Sequence, residues 1–289
     1  MSSQVRSHSR FSLTRLPVSW FLILPLLALV VAMFGSGLVD IAWLSVTEPV
    51  PGPQNYLALV ENETVARLLA TTVRVCLITT IVSVALGYVV AYAITHARNA
   101  VQQRMLLLLL ISFWIPVLVR TFSWLMLLGT RGPINGALVQ LGLIDQPLAL
   151  VRNEFGVLVG MIHYMTPYAV LPLLASMQSV DERVIRASQS LGATGRQTFW
   201  RVYLPLTRPG LISSAVLVFI LSLGFYITPA VLGGGKVLMV AEYISVQVLV
   251  LVRWGIASML AVSMLIVVML LLMLMSRYMK LTAALSGGR

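Results

Sequence analysis

The side chains able to do chemistry in this chain are few, and several of them fall inside long apolar runs: Arg120, Trp124, His163, Tyr164, Tyr168 and Tyr226. Ionisable groups held in hydrocarbon are expensive, and where a chain keeps them they commonly line a solute path, an ion site or a proton relay. Counted along a helix, Arg120 lies about 15 residues into its run, roughly 22 Å from the inner end. His163 and Tyr164 lie about eight and nine residues in from the outer end of the next run, and Tyr226 about 17 residues into the one after. These depths converge on the outer half of a bilayer, where a gated cavity would sit. Plainer roles exist for each: Trp and Tyr in interfacial belts, His163 bonded to a backbone carbonyl, Arg120 extending towards the headgroups.

Catalytic patterns are missing. There is no His-Glu-x-x-His, no Gly-x-Ser-x-Gly and no Asp within an apolar run, which argues against an intramembrane enzyme. Gly233-Gly234-Gly235-Lys236 is followed by Val237 and lacks the glycine spacing of a phosphate loop. The lone cysteine, Cys76, lies in an apolar run and reads as packing, with no metal site expected. No Asp or Glu lies clearly within a span; Glu154 and Glu242 fall near the outer surface. An ion-coupled secondary transporter, the alternative reading, would need such acids near the midplane.

Composition fixes the solvent around these residues. The chain has 289 residues, 59% of them hydrophobic and only 10% charged, against about 25% charged in a soluble domain. Six apolar runs reach the ~20 residues that span a bilayer: 17–39, 75–95, 105–128, 155–178, 209–232 and 255–276. A shorter run, 240–252, carries Glu242 and reads as re-entrant or interfacial. The first run is too long for the core of a signal peptide and reads as an uncleaved helix. Residues 64–74 are expected to begin a helix along the interface before the second span.

Charge gives the orientation. The segments 1–16, 96–104, 179–208 and 277–289 hold thirteen of the 20 Lys and Arg but only two of the nine acids, Asp181 and Glu182. The remaining seven basic and seven acidic residues cancel, so the whole net charge of +11 sits on one side. This is the positive-inside pattern, not a nucleic-acid footprint. Both termini are expected in the cytoplasm.

The segment 179–208 is longer than a turn between spans requires. Ser179-x-x-Glu182 fits a capping box and predicts a helix start near Val180. Leu191-Gly192 supplies its stop. Thr194-x-x-Gln197 is a second capping box, opening a helix through about Tyr203. Pro205 is expected to end that helix, and Pro209 to open the fifth span at a favoured first-turn position. The expected unit is helix, glycine break, helix, with an apolar edge at Val184, Ile185 and Leu191 and a basic edge of five arginines.

This segment resembles the cytoplasmic loop of permease subunits of binding-protein-dependent ABC importers. The family pattern is Glu-Ala-Ala, three residues, Gly, nine residues, an aliphatic residue, one residue, Leu-Pro. Here Arg186-Ala187-Ser188 fills the first slot, then come Leu191-Gly192, Val202 and Leu204-Pro205 at the full spacing. Arg186 replaces the family Glu, and Ser188 the second Ala. Further matches to the spermidine/putrescine-type subfamily are Phe113-Trp114-Ile115-Pro116, Arg120-Thr121-Phe122-Ser123-Trp124, Gly132-Pro133-Ile134-Asn135, Pro167-Tyr168-Ala169-Val170-Leu171-Pro172 and Gly224-Phe225-Tyr226-Ile227-Thr228-Pro229.

The resemblance implies an all-α integral membrane protein with six transmembrane helices and the type I ABC importer permease fold, in a bacterial inner membrane. It implies a cytoplasmic tail over 1–16, a first helix over 17–39, a periplasmic loop over 40–66, a permease domain over 67–280 and a second tail over 281–289. The partners implied are two ATPase subunits, a second and different permease, and a periplasmic binding protein. This chain would bind no cofactor, ATP and Mg belonging to the ATPase. The loop residues Arg186, Ala187, Ser188, Leu191, Gly192, Val202, Leu204 and Pro205 would couple to that ATPase, and a polyamine-type or related small organic solute would pass this chain without being chemically altered.

Overall fold

A computed structural model describes the backbone over 18–286, with side chains described for 24–57 and 61–277. The basic tail expected over 1–16 and the last residues of the tail expected over 281–289 lie outside the described residues. Every regular element among the described residues is helical. In chain order these are α1 (Val18–Thr47), α2 (Gln54–Glu61), α3 (Glu63–His96), α4 (Asn99–Trp114), α5 (Val117–Leu128), α6 (Pro133–Gln140) and α7 (Glu154–Gln178). There follow α8 (Glu182–Ser190), α9 (Gly195–Thr198), a π-helical turn (Phe199–Tyr203), α10 (Leu204–Leu223), α11 (Ile227–Leu232), α12 (Val240–Leu249) and α13 (Trp254–Ser286). Among the described residues five helices are long and apolar enough to cross a membrane, and the count is six when the bent pair α4 and α5–α6 is taken as one span.

The first two spans are longer than expected. α1 runs to Thr47, past the expected end at 39, and stops where Pro49, Pro51 and Pro53 remove backbone donors. The turn that follows is stapled from within. Asn55 Nδ2 donates to Ser45 O (3.0 Å) and Glu48 O (2.6 Å), and Ser45 Oγ pairs with Tyr56 Oη at 2.9 Å. The interfacial helix expected at 64–74 is no separate element. Asn62 caps α3 by accepting from the Thr64 N–H (2.9 Å), and the helix continues unbroken for 34 residues. At 1.5 Å per residue that is about 51 Å, longer than the ~30 Å of hydrocarbon, so its ends project.

The third span, expected over 105–128, is broken at Pro116, one of the prolines able to kink a span. α4 and the α5–α6 unit meet at 96°. Pro116 is the cause: it lacks an N–H and holds Ile115 in an extended conformation (φ −78°, ψ 118°). A depth counted along a straight helix therefore misplaces Arg120. The connection between α5 and α7 is organised by the buried Asn135, which donates to Gly129 O and Leu148 O (both 3.0 Å) and accepts from the Leu148 N–H (2.8 Å).

The fifth span is displaced towards its N-terminus. A continuous helical rod runs from Gly195 to Leu223, so Pro205 does not end a helix and Pro209 does not open one. The π turn explains this. The Leu204 N–H bonds to Phe199 O, five residues back, and the widened turn leaves Pro205 in the first turn of α10. The rod ends at Gly224, and the short α11 follows.

Three helices, α3, α7 and α10, pack along one another and form the centre of the bundle. Small residues set the approach. A Cβ at Gly87 would stand 2.9 Å from Ala169 Cβ, and Gly210 lies against Ser176, the close-contact geometry usual between helices in lipid. Buried layers follow the axis. Ala91, Ile94, Leu173, Leu174 and Met177 pack near the α8 end, and Met165, Ala169 and Val218 pack mid-bundle. Val75, Cys76, Val157, Met161 and Leu232 pack towards the opposite end. Cys76 is buried there, as packing. α1 lies along α13, and α12 seats against α13 and α3. α7 stays helical through Pro167 and Pro172. Hydroxyls serve carbonyls along it: Thr166 Oγ1 donates to Ile162 O (2.7 Å) and Ser214 Oγ to Ala169 O (2.8 Å).

Candidate functional site

Five of the six path candidates meet between α5 and α7. Arg120 is buried, 7% exposed, with its guanidinium carbon 5.1 Å from the Tyr164 ring centroid. This is a cation–π contact, worth roughly 2 kcal/mol when desolvated. Tyr164 stacks on Tyr168 at 5.6 Å, with the two hydroxyls 3.4 Å apart. Trp124 Nε1 donates to His163 Nδ1 at 3.1 Å, and the rings meet edge to face. Arg120 Nε has no hydrogen-bond partner, and no carboxylate forms an ion pair with Arg120 among the described residues.

Tyr226 is not part of this group. It is the residue before α11 in the break after α10, exposed, and its neighbour Phe225 takes the inward place, 4.6 Å from Tyr164. Phe113 closes the other side against Tyr168 at 4.9 Å. Thr121 and Thr228 share a hydrogen bond at 3.2 Å that ties α5 to α11. None of these four was among the path candidates from the sequence, although each lies in a segment that resembles the subfamily. The result is a ring-lined wall with a single buried cation. Its chemistry is stacking, cation–π contact and hydrogen bonding.

The acids noted near the surface are engaged or buried elsewhere. Glu154 pairs with Arg74 at 2.6 Å, joining the first turn of α7 to α3. Glu242 is buried in the first turn of α12.

The 179–208 segment holds α8, α9, the π turn and the start of α10. Its first cap differs from expectation. Asp181, not Ser179, caps α8 by accepting from the Arg183 N–H (2.8 Å). α7 runs to Gln178, so Ser179 serves as its C-cap and donates its hydroxyl to Ser176 O. At the other end Gly192 has φ +87°, with the Gly192 N–H on Gln189 O and the Ala193 N–H on Ser188 O. This pair of bonds is a Schellman stop. The second capping box forms as read, with the Thr194 and Gln197 side chains each accepting from the other's backbone N–H.

Arg186, standing in the family Glu slot, pairs with Glu182 at 2.8 Å on an exposed face, worth at most about 1 kcal/mol. Ala187 and Gly192 are exposed, and Leu191 is 89% exposed, an apolar side chain without cover. Ser188 turns inward and its hydroxyl meets Thr198 Oγ1 at 3.2 Å. Val202, Leu204 and Pro205 are half-buried on the π turn and the first turn of α10, away from the exposed face of α8.

Beneath the loop lies a ring cluster the sequence reading overlooked. Tyr92 stacks on His96 at 4.1 Å, and Phe199 on Tyr203 at 6.0 Å. Phe199 meets Tyr88 and Tyr92 edge to face. The signal was legible: Tyr92/His96 and Phe199/Tyr203 are both i, i+4 pairs, which face each other once the segments are helical.

The described residues thus form a multi-span helical bundle in which a helix–glycine–helix loop feeds directly into a span. The chain belongs to the family described as binding-protein-dependent transport system inner membrane component, matched over residues 83–281. It is 30% identical over 204 residues to the spermidine/putrescine transport system permease protein PotB of Haemophilus influenzae, covering 71% of each chain. To PotB of Escherichia coli (strain K12) it is 31% identical over 202 residues, covering 70% of this chain and 74% of that one. Its fold matches a bacterial alginate ABC transporter solved with an alginate pentasaccharide-bound periplasmic protein, with a TM-score of 0.73 at 14% identity, covering 89% of this chain and 92% of that one. It is a permease of a binding-protein-dependent ABC importer, with the type I importer permease fold, in the inner membrane.

Proposed function

We propose that this chain forms half of the translocation pathway of an ATP-driven importer. A second, different permease supplies the other half. Two ATPase subunits hold ATP and Mg and perform the hydrolysis, and a periplasmic binding protein delivers the solute. This chain is non-catalytic and binds no cofactor. Both termini face the cytoplasm, on the side where the loop arginines lie. The ATPase docks on Arg186, Ala187, Ser188, Leu191 and Gly192. Its closure moves the 181–203 segment and with it the spans, opening the path outward. Val202, Leu204 and Pro205 join that segment to the span.

The observation that carries this reading is the exposed, doubly capped α8–α9 unit joined to a membrane-crossing rod. A loop that merely fixes topology needs no such rigidity. The solute is proposed as polyamine-type or a related small organic molecule, on the strength of the PotB relatives' names. The rings of Tyr168, Phe113 and Phe225 offer stacking surfaces to the solute, and because the charge in this wall is the cation Arg120, with no carboxylate paired to it among the described residues, selection of a cationic solute falls to the binding protein.

The test is purification of the tagged protein from its native membrane in mild detergent. An ATPase and a second permease should accompany it, and the loaded binding protein should stimulate ATP hydrolysis by the complex. A lone subunit active in vesicles without ATP would establish the ion-coupled alternative instead. Within the complex, Arg120→Leu should lower ATP-driven uptake by about tenfold or more, the scale of losing a desolvated cation–π contact. ATPase co-purification should be unchanged, because Arg120 is remote from the loop. Wild-type uptake in vesicles carrying Arg120→Leu would remove the α5–α7 cluster from the path.

A further inference from the structure

The α8–α9 unit meets the bundle through Ile185, which packs against the buried layer of Ala91, Ile94 and Met177, and through the buried Thr198. α8 rests on α9 and on the π turn, and its inward contacts are Ser188 on Thr198 and Ile185 on the cluster below. The side chain placed to pass its movement on is Phe199. It is the first residue of the π turn. Its ring meets Tyr88 at 6.2 Å and Tyr92 at 5.8 Å, both edge to face on α3, and stacks on Tyr203 at 6.0 Å. Tyr203 in turn meets Tyr92 at 5.5 Å and His96 at 5.6 Å. One hydrogen bond completes the joint, Tyr88 Oη to Thr207 Oγ1 at 3.1 Å.

Two features make this a joint rather than ordinary packing. Edge-to-face rings have a preferred relative orientation, so tilting one reorients its partners. The π turn also sits where the rod is least constrained, just before Pro205, which lacks an N–H, and one turn before Pro209. A wide turn beside two missing donors is the place where a rod can rotate about its axis without breaking a full ladder of hydrogen bonds.

We propose that Phe199 is a positioning residue for transport. It couples displacement of α8 to α3 through Tyr88 and Tyr92, while the π turn lets α10 rotate. This rests on the reading of the 179–208 loop as the ATPase-docking element. Docking itself uses the exposed face of α8, so Phe199 acts after docking and before movement of the spans.

The experiment uses the complete importer in proteoliposomes, with solute uptake and ATP hydrolysis measured on the same preparation. Phe199→Ala is expected to leave the ATPase bound and hydrolysing while uptake per ATP falls by about fivefold or more, the scale of a lost coupling contact. Phe199→Tyr keeps the ring and should restore the ratio. Phe199→Leu keeps apolar volume without a ring and should remain uncoupled, which gives the same reading if the alanine variant fails to assemble. An unchanged ratio in Phe199→Leu, whether both rates fall together or neither falls, would overturn the proposal. Failure of the underlying loop assignment looks different: the wild-type complex would then contain no ATPase and show no ATP-dependent uptake.

Discussion

Gly192→Val is expected to abolish ATP-driven uptake while the subunit still inserts and folds in the membrane. Gly192 stands at φ +87°, and no atom lies within 4 Å of where a Cβ would be. The penalty is therefore backbone conformation alone, without a clash. A residue with a Cβ loses roughly 1–2 kcal/mol in the left-handed region, and a β-branched one is a genuine outlier there. Relief comes from giving up the Schellman bonds to Gln189 O and Ser188 O, which unwinds the end of α8 and moves Leu191. The face proposed for ATPase docking is lost with it. Gly195→Ala is the matched control. Gly195 also faces open space, but its φ lies outside the left-handed range and it opens a helix. It should behave as wild type. Co-purification of the ATPase and uptake in proteoliposomes check both variants, and normal transport by Gly192→Val would sink the loop assignment.

The second large effect is expected at the bundle centre. A Cβ on Gly87 would lie 2.9 Å from Ala169 Cβ and 3.4 Å from the backbone of α7. Gly87→Leu must force α3 and α7 apart, the over-packing that typically destabilises by roughly 1–3 kcal/mol. The neighbour is itself a Cβ on a helix and not the end of a flexible chain, so it has little room to give. Separation there also disturbs the hydrogen bond from Ser214 to Ala169 O. A lower thermal midpoint of the detergent-purified protein and a reduced folded yield are the readouts. Gly35→Leu and Gly37→Leu on α1 have open space around them and should leave the midpoint where it is. An equal midpoint for Gly87→Leu would show that the α3–α7 crossing is not the close contact described.

Both variants act through glycines, yet only one of those glycines was legible in the sequence. Gly192 follows a helix whose caps and length are local, and a local stop needs only the residues around it. The same holds for Thr194 and Gln197, for the placing of most apolar runs, and for the sidedness of charge, which the whole chain carries additively. Gly87 gave no signal. Its role depends on Ala169, far along the chain, coming to face it.

The cluster around Arg120 shows the same division. Arg120, Trp124, His163, Tyr164 and Tyr168 were found because polar groups in hydrocarbon are conspicuous by type. Phe113 and Phe225 were missed because their place beside Tyr168 and Tyr164 exists only after α4 and α5 bend at Pro116 and α10 stops at Gly224. Tyr226 was chosen over Phe225 for the same reason: a helix count across a break assigns the wrong face.

The misread start of the fifth span has one cause. Pro205 reads in isolation as a stop and Pro209 as an opening, but the preceding π turn shifts the hydrogen-bond ladder so that Pro205 falls in a first turn. Composition and short-range patterns were enough for the lipid solvent, most of the apolar runs, the glycine stop at Gly192 and the Thr194–Gln197 capping box. Each follows from composition or from residues within a few positions of one another. Where spans break, which rings meet and which glycines are contacts came from packing. Those depend on surfaces that exist only once distant helices have packed.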